Sequence, residues 1–316
     1  MGLILRADAS PEIGAGHVMR IYAIAEEAIS QGIDCTFIGD IQDIPWLSQL
    51  ICAVGFSKIL PSSELDKNVN QESILVIDSY SLDVEDPSLQ KNRWRKVVVV
   101  ADEVTPCYDA TLTIHPGLNS RWFEGNLDTF LSGPEYVLTR KSIKKSEENL
   151  SRTLEQVLVF AGGTDSTGVT LQIANKLSSL FNFGRAVIYT DASGPTHGLD
   201  SRFHLKPFGS SLDTDIDASQ VVLTTASTSS LEIIARGIPL GIICVVENQR
   251  NYYKKLGELG LAAQLGTRDT HGVLNLREPE LRRLFSDFSY RKSLIAAGES
   301  LIDLGGPRRV VNAIVY

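Results

Sequence analysis

Between Arg6 and Arg20 the chain reads Arg-Ala-Asp-Ala-Ser-Pro-Glu-Ile-Gly-Ala-Gly-His-Val-Met-Arg, and this stretch combines a proton acceptor, carboxylates and backbone-exposing glycines. His17 is placed where an apolar N-terminal segment hands over to a helical pattern. The positive end of a helix favours the neutral imidazole, which can take a proton from water or a hydroxyl and so act as a general base. Gly14 and Gly16 allow positive φ and let backbone N–H groups approach a ligand closely, so an anion could dock on the helix start. A tight turn with a capping histidine would account for Gly-Ala-Gly-His alone. It would not need Arg6, Asp8, Ser10, Glu12, His17 and Arg20 gathered in one loop and its flanks. Asp8 could hold His17, cap the loop or meet a hydroxyl, while Arg6 and Arg20 could pair with carboxylates and fix the loop.

These residues need a strand before them and a helix after them. Residues 2–5 are short and apolar, and residues 18–31 carry Met19, Tyr22, Ala23, Ile24, Ala28 and Ile29 at helical spacing. The arrangement recurs later. An apolar run at 157–161 leads into Gly162-Gly163-Thr164-Asp165, with a helical pattern over 169–180. Another at 221–223 leads into Thr224-Thr225-Ala226-Ser227-Thr228-Ser229-Ser230-Leu231-Glu232, and that helix is stopped by Gly237 and Pro239. Neither loop is a P-loop or a G-x-G-x-x-G. Hydroxyls and N–H groups at such helix starts can hold a diphosphate, so Gly162, Gly163, Thr164, Ser227 and Ser229 are candidate phosphate contacts. Glu232 could accept from a pair of sugar hydroxyls, or serve as a capping-box glutamate.

Continuous apolar runs at 35–38, 74–77, 96–101, 110–114, 157–161, 186–190, 221–223 and 240–246 alternate with helical patterns. Such runs suit parallel strands buried on both faces, so an α/β chain is expected. At 316 residues, two domains are expected: 1–140 with the histidine loop, a charged linker over 141–153, and a nucleotide-binding domain over 154–316. A net charge of −8 argues against nucleic-acid or anionic-membrane partners. Cys35, Cys52, Cys107 and Cys244 are scattered, as expected of reduced thiols in the cytoplasm. No run reaches the roughly 20 apolar residues of a membrane span, and Arg6 and Asp8 come too early for a signal peptide. The run Asp213-Thr214-Asp215-Ile216-Asp217 has metal-like Asp-x-Asp spacing, but it is read as a solvated acidic face or helix approach, with no metal and no cofactor expected.

The pattern R-x-D-x-S-x-x-I-G-x-G-H-x-x-R, complete from Arg6 to Arg20, resembles the N-terminal signature of the UDP-sugar hydrolases of pseudaminic acid biosynthesis. Asp78-Ser79-Tyr80 is similar to that family's Asp-x-Tyr, Ala101-Asp102-Glu103 to its acidic loop, and Gly162-Gly163-Thr164-Asp165 to its Gly-Gly-x-Asp turn. Ala226-Ser227 with Glu232 resembles its second phosphate loop, and Asn248-Gln249 its late Asn-Gln. The tail from Asp303 to Val310 resembles a closing D-G-x-G-x-x-R-V, with Leu304 in place of the first glycine. Where members often show an asparagine-containing turn, this chain has His115-Pro116-Gly117-Leu118-Asn119; His115 is either a second acid or base, or an exposed loop histidine.

The resemblance implies a GT-B-like architecture, two Rossmann-like domains facing a cleft. It also implies metal-independent cleavage of a UDP-linked 2,4-diacetamido-2,4,6-trideoxy sugar at the anomeric carbon, with His17 activating water. Tyr80 and Asn248 would then orient the sugar, with Asp102, Asp8, Arg6, Gly14 and Gly16 around it. A glycosyltransferase using a UDP-amino sugar donor and a non-catalytic nucleotide-sugar binding module are the alternatives, because fold alone does not separate them.

Overall fold

The computed structural model describes residues 2–316 apart from 81, 103–107, 119–128, 146–149, 164, 166, 182, 191–198 and 210. The chain forms two compact units, Met1–Ser142 together with Asp303–Tyr316, and Ile143–Ile302.

In the first unit the apolar runs become strands β1 (Gly2–Ala7), β2 (Asp34–Ile38), β3 (Lys58–Leu60), β4 (Ile74–Asp78), β5 (Lys96–Val100), β6 (Leu112–His115) and β7 (Phe130–Ser132). They form one parallel sheet in the order β3-β2-β1-β4-β5-β6-β7. The central strands are buried on both faces, which is why their sequences run apolar without alternation. From β1 the chain crosses to β2 on one side, while β4 lies on the other, so the strand order reverses between β1 and β4. Loops at the carboxyl ends of strands at such a switch point form the usual ligand crevice of open α/β sheets. Helix α1 (Gly16–Ser30) covers the sheet with Val18, Ile21, Ile24, Ala25 and Ala28, all buried. His17 is its second residue, and Ala15 before it supplies no capping side chain. Helix α2 (Pro45–Ala53) adds Leu47 and Ile51 to the same core.

The second unit repeats the plan with β8 (Gln156–Val159), β9 (Arg185–Tyr189), β10 (Phe203–Lys206), β11 (Val221–Thr225), β12 (Leu240–Cys244), β13 (Ala263–Arg268) and β14 (Leu274–Leu276). The order is β10-β9-β8-β11-β12-β13-β14, parallel except for the β13–β14 pair, and the switch point lies between β8 and β11. Helices α3 (Val169–Leu180), α4 (Leu212–Asp217), α5 (Thr228–Ala235), α6 (Arg250–Glu258), α7 (Glu278–Ser286) and α8 (Phe288–Leu301) complete it. These are two Rossmann-like units of the GT-B-like class. Among the described residues no helix is long and apolar enough to cross a membrane.

One expected boundary needs correction. The C-terminal domain does not run to residue 316, because helix α9 (Gly306–Val315) packs in the first unit, with Val310, Val311 and Ile314 fully buried. The Gly305-Gly306 pair makes this return possible: a Cβ on Gly306 would lie 2.0 Å from the Val137 carbonyl oxygen. Arg309 then donates to the Glu135 carbonyl at 2.8 Å and pairs with Asp303, and Lys96 on β5 donates to the Ile314 carbonyl at 2.9 Å. The division between the units, between Ser142 and Ile143, falls inside the charged stretch expected as a linker over 141–153. Ile143 is buried, and the buried Arg291 donates to the Ser151 carbonyl at 2.9 Å. Of the strands without an apolar run in the sequence, β3 and β10 are exposed sheet edges, whereas β13 lies between β12 and β14.

Candidate active site

The loop from β1 to α1 is shaped by its small polar residues. The Ser10 hydroxyl accepts from the Ile13 N–H at 3.2 Å, and the Gly14 N–H donates to the Ser10 carbonyl at 2.7 Å, closing a turn that holds Gly14 at φ +83°. Only glycine takes that conformation without strain. Buried Arg6 donates to Asp8 at 2.6 Å, and Asp8 also accepts from the Asp40 N–H at 2.9 Å, so Asp8 pins the loop to the segment after β2.

His17 meets the end of β4. Its Nδ1 lies 2.5 Å from Asp78 Oδ1, and Arg20, one helical turn on, donates Nε to Asp78 Oδ2 and Nη2 to Asp78 Oδ1, both at 2.7 Å. Asp78 is fully buried and His17 and Arg20 nearly so. Arg20 Nη2 also stands 3.0 Å from His17 Nδ1. The ionised Asp78 carboxylate can only accept, so the Nδ1 at 2.5 Å from it is assigned as the donor, Arg20 Nη2 being a second donor on the same oxygen; this tautomer leaves Nε2 as the imidazole's acceptor. Burial alone would raise the Asp78 carboxyl, but the Arg20 charge and then His17 outweigh it and hold Asp78 below the ordinary aspartate range. For Arg20, burial opposes the charge, yet Asp78 and Asp102 raise its pKa and keep it cationic.

At the end of β5, Asp102 lies 3.7 Å from Arg20 Nη1 and accepts a short hydrogen bond from the Tyr80 hydroxyl. The Tyr80 ring meets the His17 ring edge-on, with centroids 4.1 Å apart and planes at 85°. Burial first, and then Asp102, raise the Tyr80 phenol, which keeps its proton as a donor. Three neighbouring strands thus bring His17, Asp78, Arg20, Tyr80 and Asp102 to the carboxyl edge of the sheet. Asp78 is the member to which sequence reasoning gave no role. Its signal was present: a carboxylate closing a run of buried apolar residues is seldom left without a partner.

In the second unit, Gly162 (φ +71°) and Gly163 follow β8, and Ser227, Thr228 and Ser229 open α5 after the neighbouring β11. A Cβ on Gly162 would be no nearer than 4.0 Å, to Thr225 Oγ1, so its glycine serves the backbone conformation. Asp165 is buried and ties the loop down, accepting from the Val169 N–H at 3.1 Å, from the Thr190 hydroxyl at 2.9 Å and from the Thr170 hydroxyl. Burial raises its pKa while those hydrogen bonds pull it down. Thr164 and Glu103 lie outside the described residues.

The capping partner of Ser227 is Ser230, whose Oγ accepts from the Ser227 N–H at 3.3 Å; Glu232, partly exposed, stands in the second turn of α5 and is not a capping-box residue. Asn248 is exposed in the turn after β12. One expectation fails: His115 is buried rather than exposed, at the end of β6 with Gly117 packed over its ring. The acidic run forms the helix α4 with Asp217 exposed, and its carboxylates are also used: Asp213 and Asp217 pair with the fully buried Arg236 guanidinium, and buried Asp215 accepts from the Tyr189 hydroxyl at 2.6 Å and from Lys206 at 2.7 Å. Its carboxylates are engaged by protein cations and a phenol.

No protein-family model matches the chain. It is 26% identical over 189 residues to a UDP-2,4-diacetamido-2,4,6-trideoxy-beta-L-altropyranose hydrolase of Campylobacter jejuni, covering 56% of this chain and 66% of that relative's length. It is 23% identical over 327 aligned positions to the spore coat polysaccharide biosynthesis protein SpsG of Bacillus subtilis, covering 96% of this chain and 95% of the relative. Among solved structures it is similar to CalG4, the calicheamicin glycosyltransferase, with a TM-score of 0.65 at 14% identity over 99% of this chain and 97% of that one. The resemblance carried by the motifs is therefore met by a relative of the same description, and the fold by a glycosyltransferase.

Proposed function

We propose that this chain hydrolyses a UDP-linked 2,4-diacetamido-2,4,6-trideoxy sugar at its anomeric carbon, giving the free sugar and UDP. The observation that carries this reading is the His17–Asp78 pair at 2.5 Å, braced by Arg20 at the switch point of the first sheet. Asp78 holds the imidazole with Nδ1 protonated, and Nε2 takes a proton from water as the water oxygen bonds to C1. The bond from C1 to the diphosphate oxygen breaks, and UDP leaves with that electron pair. The helix starts after Gly163 and at Ser227 to Ser229 receive the developing diphosphate charge, the kind of electrostatic stabilisation that fixed N–H dipoles provide. Glu232 and Asn248 are assigned to the nucleoside and sugar hydroxyls.

The reaction so written needs no metal. The one acidic run with metal-like spacing has its carboxylates bound to Arg236, Lys206 and Tyr189. The free thiols Cys35, Cys52 and Cys244 suit a reducing, cytoplasmic setting.

The test is UDP release from the UDP-linked diacetamido sugar with EDTA present and no acceptor, comparing the native chain with His17→Ala. Release that depends on His17 and persists in EDTA is the expected result. Release only when an acceptor alcohol is added assigns a glycosyltransferase instead, and binding without turnover assigns a binding module.

A further inference from the structure

The two carboxylates of the site do different work. Asp78 faces the imidazole itself, whereas Asp102 reaches His17 through another side chain. The contacts form a closed circuit: His17 to Asp78, Asp78 to Arg20, Arg20 to Asp102, Asp102 to Tyr80, and the Tyr80 ring back onto His17. We infer that Asp102 is a positioning residue that acts through Tyr80, anchoring the phenol so that its ring clamps the His17 imidazole, and that it is not a sugar ligand. This inference rests on the hydrolase reading above.

A general base must be held to within about 0.5 Å and 10–20° of its working geometry. The Nδ1 contact to Asp78 fixes one edge of the imidazole but leaves the ring free to rock about that hydrogen bond. The edge-on Tyr80 ring, 4.1 Å away at 85°, opposes that motion. A partly exposed tyrosine serves as a stop only if its far end is tied. Asp102 ties it, and Arg20, placed 3.7 Å from the same carboxylate, holds Asp102 in turn. The groups acting on Tyr80 are Asp102, Arg20 and Asp78, with His17 against the ring. With burial, Asp102 keeps the phenol protonated, as a donor to a carboxylate requires.

The test is a double-mutant cycle with Tyr80→Phe, Asp102→Ala and the two combined, read as kcat and KM for UDP release, with Asp102→Asn as the conservative variant. Each single change is expected to lower kcat about tenfold with KM within about twofold, and the combination to fall no further. Asp102→Asn keeps an acceptor for the phenol and is expected to restore most of kcat. A raised KM in Asp102→Ala, or a further loss on the Tyr80→Phe background, would place Asp102 on the substrate and overturn the inference. A second arm does not depend on the substrate: 13C-tyrosine NMR of the whole chain, titrated with pH. Tyr80 is expected to ionise at lower pH in Asp102→Ala and in Asp102→Asn than in the native chain, and an unchanged titration overturns the inference. If the native chain releases no UDP, the hydrolase reading fails and the titration still decides whether Asp102 governs Tyr80.

Discussion

Asp78→Asn is the sharpest perturbation of the site, because it keeps the side chain's shape and removes only its charge. The native carboxylate accepts His17 Nδ1 at 2.5 Å and two Arg20 nitrogens at 2.7 Å while fully buried. Hydrogen bonds to a charged group are each worth roughly 1.5–3 kcal/mol, but most of that sum offsets the desolvation of two ions. The appropriate figure is the cost of breaking one partner of a buried pair and stranding the Arg20 charge, about 3–5 kcal/mol. Against a total stability of roughly 5–15 kcal/mol, the protein should remain folded with a clearly lowered urea midpoint. The chemical effect is separate. The amide can present N–H to Nδ1, which moves the imidazole proton to Nε2 and removes the lone pair that the water needs. Losing the correct tautomer in other His–Asp pairs costs up to about 10⁴ in kcat, so a drop of about 10² to 10⁴ is expected here, with KM little changed. The assay is steady-state UDP release alongside urea unfolding of the same preparation. A folded Asp78→Asn protein whose kcat stays within about tenfold of native would refute the assignment of His17 as a base oriented by Asp78.

Asp78 also sets an acid limit: its folded pKa lies below an ordinary aspartate's 3.8, so its stabilisation is complete above about pH 4 and lost as pH falls through the folded value. Unfolding free energy measured against pH should therefore fall more steeply below pH 4 in the native chain than in Asp78→Asn, and parallel curves would contradict this. Ending the chain after Ile302 removes Val310, Val311, Ile314 and Val315 from the first core, a loss of roughly 6–12 kcal/mol at about 1.5–3 kcal/mol per side chain. The first unit should then lose its cooperative melt by calorimetry, and an unchanged transition would show that α9 is dispensable. Gly306→Ala, which meets the Val137 carbonyl, should lower the same transition by about 1–3 kcal/mol. Gly162→Ala has room for its methyl group but not the conformation, so it should cost about 1–2 kcal/mol and, if the loop N–H groups hold the diphosphate, weaken UDP binding by calorimetry about tenfold; unchanged affinity would move the phosphates elsewhere.

The sequence by itself determined the elements whose physics is local. Runs such as 74–77 and 96–101 read as buried parallel strands because both faces are covered, and they became β4 and β5. The Gly-Ala-Gly-His loop read as a strand-to-helix turn because its glycines allow positive φ, which Gly14 takes, and His17 lies in the first turn of α1 as expected. Edge strands β3 and β10 were illegible, since an exposed strand needs no apolar run. Only the tertiary structure decided the pairings between residues far apart in the chain. It gave His17 its partner at Asp78, made the acidic run of α4 a set of partners for Arg236, buried His115, and returned α9 to the first core. The reason is common to all four. A charge or an apolar face announces in the sequence that it needs a partner, but which partner it finds depends on which strand ends the sheet order makes neighbours.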